Sequence, residues 1–244
     1  MTIAVGFFDG VHRGHRRILE GADKALTFFN HPLDVLAPER APRRLMTYEQ
    51  RVGAIMALGV REVITLHFTP ELAALSPEEF ARRYFTGMTV RCGDNWRFGR
   101  RGEGSAEWLR SHGYAVEVVP AAEHGGRIIS STRIREAVAA GEIACAEAML
   151  GHPLAVVGVP FAGKGEGARL GYPTINLRLG VYAAELGGER AVANFGHAPT
   201  FGERSWQDPV LEVHLLKFLR PERKFASAEE LRRQIAEDCT RAMK

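Results

Sequence analysis

Residues 6–15 read Gly-Phe-Phe-Asp-Gly-Val-His-Arg-Gly-His and bring together groups that can hold a polyphosphate. His12 and His15 are three apart, which would place two imidazoles on one face of a helix's first turn. The open N–H groups of a helix start, and the positive end of its dipole, favour the same anionic ligand. Gly6, Phe7 and Asp9 form the turn into that helix. Gly14, lacking a Cβ, lets a phosphate or base approach the backbone. Two histidines near a helix start are also an ordinary solvent-facing arrangement. What gives this pair meaning is its place directly after the first apolar run of the chain.

A second cluster, Ile129-Ser-Ser-Thr-Arg-Ile-Arg135, opens a helix after the fifth such run. The hydroxyls of Ser130, Ser131 and Thr132, with open backbone N–H groups, suit phosphate oxygens, and Arg135 one turn on adds a fork of donors. Alone this would be a common helix cap. Further on, glycines 163, 165, 167 and 171 make a loop whose backbone can wrap phosphates, although no Gly-Lys-Ser/Thr follows. After Pro173, the neutral oxygen donors Thr174 and Asn176 are two apart, so on a strand they share a face that suits Mg²⁺ and an ATP phosphate. Glu212 lies in the otherwise apolar run 211–216, where one carboxylate needs a reason; its alternation with His214 also fits a water-facing strand.

Periodicity supplies the elements that must position these groups. Five β-prone runs precede residue 120: Ile3–Val5, Leu26–Phe29, Val63–Phe68, Met88–Cys92 and Val116–Val119. Helical patterns lie between most of them, at 11–19, 47–58, from Ser76 and at 103–111. Such alternation predicts a parallel sheet with helices on its faces. Short helices are expected at 132–140 and 142–150, stopped by Gly141 and Gly151. Beyond Pro153, strand-like runs alternate with glycine-rich turns, as in a small β-barrel or sandwich. A last helix starts at Ser227, with Leu231, Ile235 and Cys239 as the face expected to pack on the barrel.

The chain has 244 residues, 45% hydrophobic and 25% charged, enough for one large domain or two modest ones. A net charge of +3 points to neither nucleic acid nor a membrane, and the cluster Arg97, Arg100, Arg101 has no RNA-binding aromatic motif beside it. Cys92, Cys145 and Cys239 are far apart with no CxxC pair, which argues against zinc. Their sparse, odd number, with no secretion signal, fits a reducing cytoplasm. No run nears the roughly 18 apolar residues of a membrane span.

The segments 6–15 and 129–135 together resemble the nucleotidylyltransferase module of the bacterial bifunctional riboflavin kinase/FAD synthetase family. Thr27-Phe-Phe-Asn-His-Pro32 is similar to that family's TF-x-x-HP segment, and Gly93-Asp-Asn-Trp-Arg-Phe-Gly99 resembles its flap over the substrates. The segments 163–176, Gly196-His-Ala-Pro-Thr-Phe-Gly202 and Leu211-Glu-Val-His-Leu-Leu216 resemble its riboflavin kinase module. The resemblance implies an α/β nucleotidylyltransferase domain with a Rossmann-like parallel sheet (1–152), followed by a small antiparallel β-barrel with a C-terminal helix (153–244). It implies phosphorylation of riboflavin to FMN and adenylylation of FMN to FAD, with ATP and Mg²⁺. His12 and His15 would hold ATP phosphates, Ser131, Thr132 and Arg135 the pyrophosphate side, and His31 the phosphate site. Asp94 and Asn95 would reach nucleotide or flavin from the flap, and Glu212 would be the kinase base. The partners so implied are small molecules.

The kinase half departs from the family pattern. Only Leu-Arg-Leu separates Asn176 from Gly180, and Phe218 joins Leu219 directly where the family has a turn and a further strand. The missing strand predicts an unpaired barrel edge. A chain that only adenylylates, with its C-terminal domain a flavin-binding module, is the alternative.

Overall fold

The five apolar runs before residue 120 form β1 (Thr2–Val5), β2 (Lys24–Phe28), β3 (Glu62–Leu66), β4 (Thr89–Gly93) and β5 (Ala115–Val119). The structure is a computed structural model that describes residues 1–162, 168–171, 177–195, 200–201 and 211–243. The described chain divides into two units, Met1–Pro42 with Tyr48–Ser130, and Arg43–Thr47 with Ser131–Lys244.

In the first unit all five strands pair in parallel, in the order β3-β2-β1-β4-β5. Ile3, Val5, Leu26, Val90 and Cys92 are buried because helices cover both faces of such a sheet. The helices are α1 (Arg13–Leu19), α2 (Pro32–Leu36), α3 (Tyr48–Met56), α4 (Pro70–Ala74), α5 (Pro77–Tyr84) and α6 (Ala106–Ser111). α5 starts just after Ser76, as expected, and is held by a capping box: the Glu79 N–H donates to Ser76 Oγ at 3.2 Å, and the Ser76 N–H to the Glu79 carboxylate at 2.9 Å. Those bonds from Ser76 hold the Glu79 carboxyl below its ordinary range. α6 starts later than expected, at Ala106, since Ser105 caps it and residues 100–102 form a 3₁₀ turn. A hairpin, β6 (Glu123–His124) and β7 (Arg127–Ile128), leads on to Ser130.

The second unit contains α7 (Ser131–Ala140) and α8 (Ile143–Leu150), stopped by Gly141 and Gly151 at positive φ. The strands β8 (Leu154–Ala162), β9 (Ala168–Gly171), β10 (Gly180–Leu186), β11 (Glu189–Phe195), β12 (Thr200–Phe201) and β13 (Leu211–Pro221) follow. Among the described residues they close an antiparallel barrel, β10-β11-β12-β9-β8-β13. The expected open edge is therefore absent. β13 runs unbroken through the Phe218–Leu219 junction and pairs with β8 on one side and β10 on the other. Its pairing with β10 shifts register twice, at Val181/Tyr182 and at Ala183/Ala184.

The closing helix, α9 (Ala228–Ala242), is capped by Ser227 as expected, but a different face packs. Its buried residues are Gln234, Asp238 and Ala242; Leu231 and Ile235 are 40% and 43% exposed, and Cys239 is exposed as well. Arg220 of β13 sets the rotation. Its guanidinium donates from Nη2 and Nε to Asp238 Oδ2 at 2.7 and 2.9 Å, and Gln234 donates to Oδ1 at 3.0 Å. A half-buried cation needs a paired carboxylate more than the helix needs three apolar contacts. Ala242 then packs on Val181, Ala183 and Leu219.

Candidate active site

Parallel strands bring their carboxyl ends to one edge of a sheet. Gly6–His15 follow β1, His31 follows β2, and Asp94 and Asn95 follow β4, so these candidates share that edge. The strand order reverses between β1 and β4, the place where open α/β sheets take their ligands.

The chain leaves β1 through a strained turn. Phe8, Gly10 and Val11 all have positive φ (58°, 81° and 36°), and the Val11 N–H closes the turn on the Phe8 carbonyl at 3.0 Å. A β-branched residue in that region costs roughly 1–3 kcal/mol and persists only where its surroundings fix it. Phe8, Asp9 and Val11 are buried. Gly6 is needed here, since a Cβ on it would lie 2.8 Å from the Phe8 ring.

α1 begins at Arg13, and His12 is its cap rather than a residue of its first turn. His12 Nδ1 accepts the His15 N–H at 3.2 Å, and the two rings stack at 3.5 Å between centroids. An accepting Nδ1 puts the His12 proton on Nε2, so the ring presents a donor from that atom. His31 repeats the device: it caps α2 by accepting the Leu33 N–H at Nδ1, 3.1 Å, while Asp34 accepts the His31 N–H at 2.9 Å. The space beside Gly14 is filled by the chain itself, since a Cβ there would lie 3.1 Å from His12 Cε1.

Phe7 joins these parts. Its ring meets His31 edge-on at 4.7 Å between centroids, and its carbonyl accepts the Thr27 hydroxyl at 3.1 Å. Two residues without a role in the sequence reading hold the neighbouring loops. Asn30 exchanges two 2.9 Å hydrogen bonds with the backbone of Phe68, tying the loop after β2 to that after β3. Arg51, 2% exposed, reaches from α3 to the carbonyls of Phe28 and Phe29 and lies 4.0 Å over the Phe7 ring. The one trace of Arg51's burial in the sequence is its place four residues before Ile55, on the same helical face.

Asp94 and Asn95, just after β4, are exposed. Behind them Trp96 stacks on the buried Phe98 at 4.8 Å, and Phe98 packs against Phe80, Phe85 and Trp108. On β4, burial pushes the Cys92 thiol up to about 11; Arg110 pulls it down and Asp94 pushes it further up.

The two units part between Ser130 and Ser131. In the second, Ser131 and Thr132 open α7, and Arg135 Nε donates to the Arg43 carbonyl at 2.7 Å. Glu212 lies on the strand face opposite the buried Val213 and Leu215; its side chain is 53% exposed and hydrogen-bonds His214 Nε2 at 2.9 Å. Gly171 ends β9. Gly163, Gly165, Gly167, Pro173, Thr174 and Asn176 lie outside the described residues. No group of three metal-ligating His, Cys, Asp or Glu side chains occurs among the described residues. None of their helices is long and apolar enough to cross a membrane.

A parallel sheet with a histidine pair at its switch point, followed by a small antiparallel barrel, defines a nucleotide-using α/β enzyme with an appended β-barrel domain. Residues 1–133 match the FAD synthetase family model, and residues 150–244 match that of riboflavin kinase. The bifunctional riboflavin kinase/FMN adenylyltransferase of Escherichia coli (strain K12) is 34% identical over 97% of this chain and 90% of its own length. That of Bacillus subtilis (strain 168) is 31% identical over 100% of this chain and 92% of its own. A solved structure described as a macrolide-efflux protein from Streptococcus pneumoniae superposes with a TM-score of 0.86 at 26% identity, covering 100% of this chain and 94% of that one. The chain therefore belongs to the bifunctional riboflavin kinase/FAD synthetase family. The E. coli alignment spans 284 positions, more than the 244 residues of this chain, so that relative carries residues this chain lacks.

Proposed function

We propose that this chain carries out two ATP-dependent steps of flavin cofactor synthesis, riboflavin to FMN and FMN to FAD. The adenylyl-transfer reading is carried by the gathering of His12, His15, His31, Asp94 and Asn95 at the carboxyl edge beside the β1/β4 switch point. In that step an FMN phosphate oxygen attacks the α-phosphorus of ATP, and the bond to the β-phosphate oxygen breaks to release pyrophosphate. The nucleophile is ionised near neutral pH, so the protein's work is positioning and charge stabilisation. His12 and His15 hold ATP phosphates, with His12 donating from Nε2; His31 lines the phosphate site. Ser130, Ser131, Thr132 and Arg135 bind the leaving pyrophosphate, Asp94 and Asn95 contact nucleotide or flavin, and Gly6, Phe7, Asp9 and Gly14 shape the cradle.

In the kinase step the riboflavin hydroxyl attacks the γ-phosphorus, Glu212 takes its proton and ADP leaves. Glycines 163, 165, 167 and 171, with Pro173, wrap the nucleotide. Mg²⁺ arrives with ATP as part of the substrate, because it keeps its waters and prefers phosphate oxygens to an all-protein cage; Thr174 and Asn176 complete its shell. The activities divide near residue 152. The partners are small molecules rather than nucleic acid, and the cytoplasm supplies the ATP.

A second reading, adenylyl transfer alone with a flavin-binding barrel, is favoured by the exposure of Glu212 and by the longer relatives. Incubation with ATP and Mg²⁺ from riboflavin, and separately from FMN, with the flavins resolved by chromatography, tests both. FAD from both starts supports two activities, and FAD from FMN alone supports the second reading. No FAD from either start overturns both.

A further inference from the structure

Arg51 is the largest fully buried side chain among the described residues, in mid-α3 with 2% of its surface exposed. Taking a guanidinium out of water is costly unless its surroundings replace the lost hydration. Here Nη2 donates to the carbonyls of both Phe28 and Phe29, where β2 ends, and the guanidinium carbon lies 4.0 Å over the Phe7 ring. Phe7 stands directly after the β1 exit, and its ring edge meets His31 at 4.7 Å. One side chain from α3 thus holds the exits of β1 and β2, and Arg51, Phe7 and His31 form a continuous chain of contacts, face-on from Arg51 to Phe7 and edge-on from Phe7 to His31. A planar fork can donate in its own plane while its flat face covers an aromatic ring, whereas an ammonium is a compact point charge with no face to stack.

We infer that Arg51 is a positioning residue for adenylyl transfer, acting through Phe7 to fix His31 at the phosphate site. The inference rests on the proposed role of His31. Misplacing a binding group by about 1 Å can cost about 10²-fold in rate, so the effect falls on kcat and not on substrate binding.

The test uses the full chain, with steady-state adenylyl transfer from FMN, riboflavin phosphorylation and thermal melting measured for each variant well below its melting temperature. Arg51→Lys is expected to lower kcat for adenylyl transfer by about 10–10²-fold. Either KM should change by less than about three-fold, and phosphorylation should be unaltered. Phe7→Leu should act similarly, and the double variant should be no worse than the poorer single one, because both break the same link. If Arg51→Lys does not fold, Arg51→Met, which removes the buried charge, is read by the same criteria. A folded Arg51 variant with wild-type kcat overturns the inference, as does an effect fully additive with Phe7→Leu. His31→Ala separates the two levels. Unchanged adenylyl transfer in that variant removes the role of His31 and the inference with it. Impaired transfer beside an unaffected Arg51 variant removes the inference alone.

Discussion

At the scale of single residues, the geometry turns on small volumes and on where protons sit. Gly14→Ala would put a methyl group 3.1 Å from His12 Cε1 and 3.2 Å from Nδ1, the atom that caps α1. Adenylyl transfer by that variant should fall about 10-fold or more, as expected when a contact to developing charge is displaced, while riboflavin phosphorylation stays the same; the chromatographic assay reads both. Cys92 supplies a pH dependence. Burial raises its thiol from 9.0 to about 11, so the folded chain keeps the proton to higher pH than the unfolded chain does. Below pH 9 neither state ionises and nothing is lost. Between 9 and 11 only the unfolded chain ionises, so stability declines by up to roughly 2–3 kcal/mol and then levels off. Denaturant melts across that range should show the decline, and Cys92→Ala should remove this part of it.

At the scale of elements, α9 separates apolar pattern from packing. Asp238→Ala leaves the Arg220 guanidinium without its bidentate partner and should cost about 3–5 kcal/mol. Ile235→Glu, on the exposed face, should change stability by no more than about 0.5 kcal/mol. Urea unfolding of the two variants decides which face carries the helix; the opposite ranking would restore the Leu231–Ile235–Cys239 face. Apolar spacing predicts a helix here correctly, yet the choice of face depends on a cation in a strand that no helical periodicity reports. Barrel closure is similar. The direct Phe218–Leu219 junction implies a lost strand beside the family pattern, whereas one long strand, with two register shifts, pairs on both sides.

At the scale of the whole molecule, α8 belongs with the barrel. Met149 and Leu150 are at most 1% exposed, and the Leu154 N–H donates to the Glu147 carboxylate at 3.0 Å, within the unit that holds Ser131–Lys244. A fragment of residues 131–244 should therefore melt higher and express more solubly than one of residues 153–244, which loses that apolar cover. Equal behaviour of the two fragments would show α8 to be dispensable to the barrel.

The sequence by itself determined the parallel α/β unit, the β-rich unit with its final helix, and the order of the phosphate-holding segments. Those features are local: apolar periods of two or 3.6, capping residues such as Ser76 and Ser227, and glycine stops all act within a few residues. Only the tertiary structure decided that His12 caps its helix instead of lying on it, that Arg51 is buried beneath Phe7, and which face of α9 turns inward. The Arg51 and α9 outcomes depend on partners 18 or more residues away, where one hydrogen bond or one paired charge outweighs the local preference; the His12 cap follows instead from the strained turn at Phe8–Val11, which delays the helix start to Arg13.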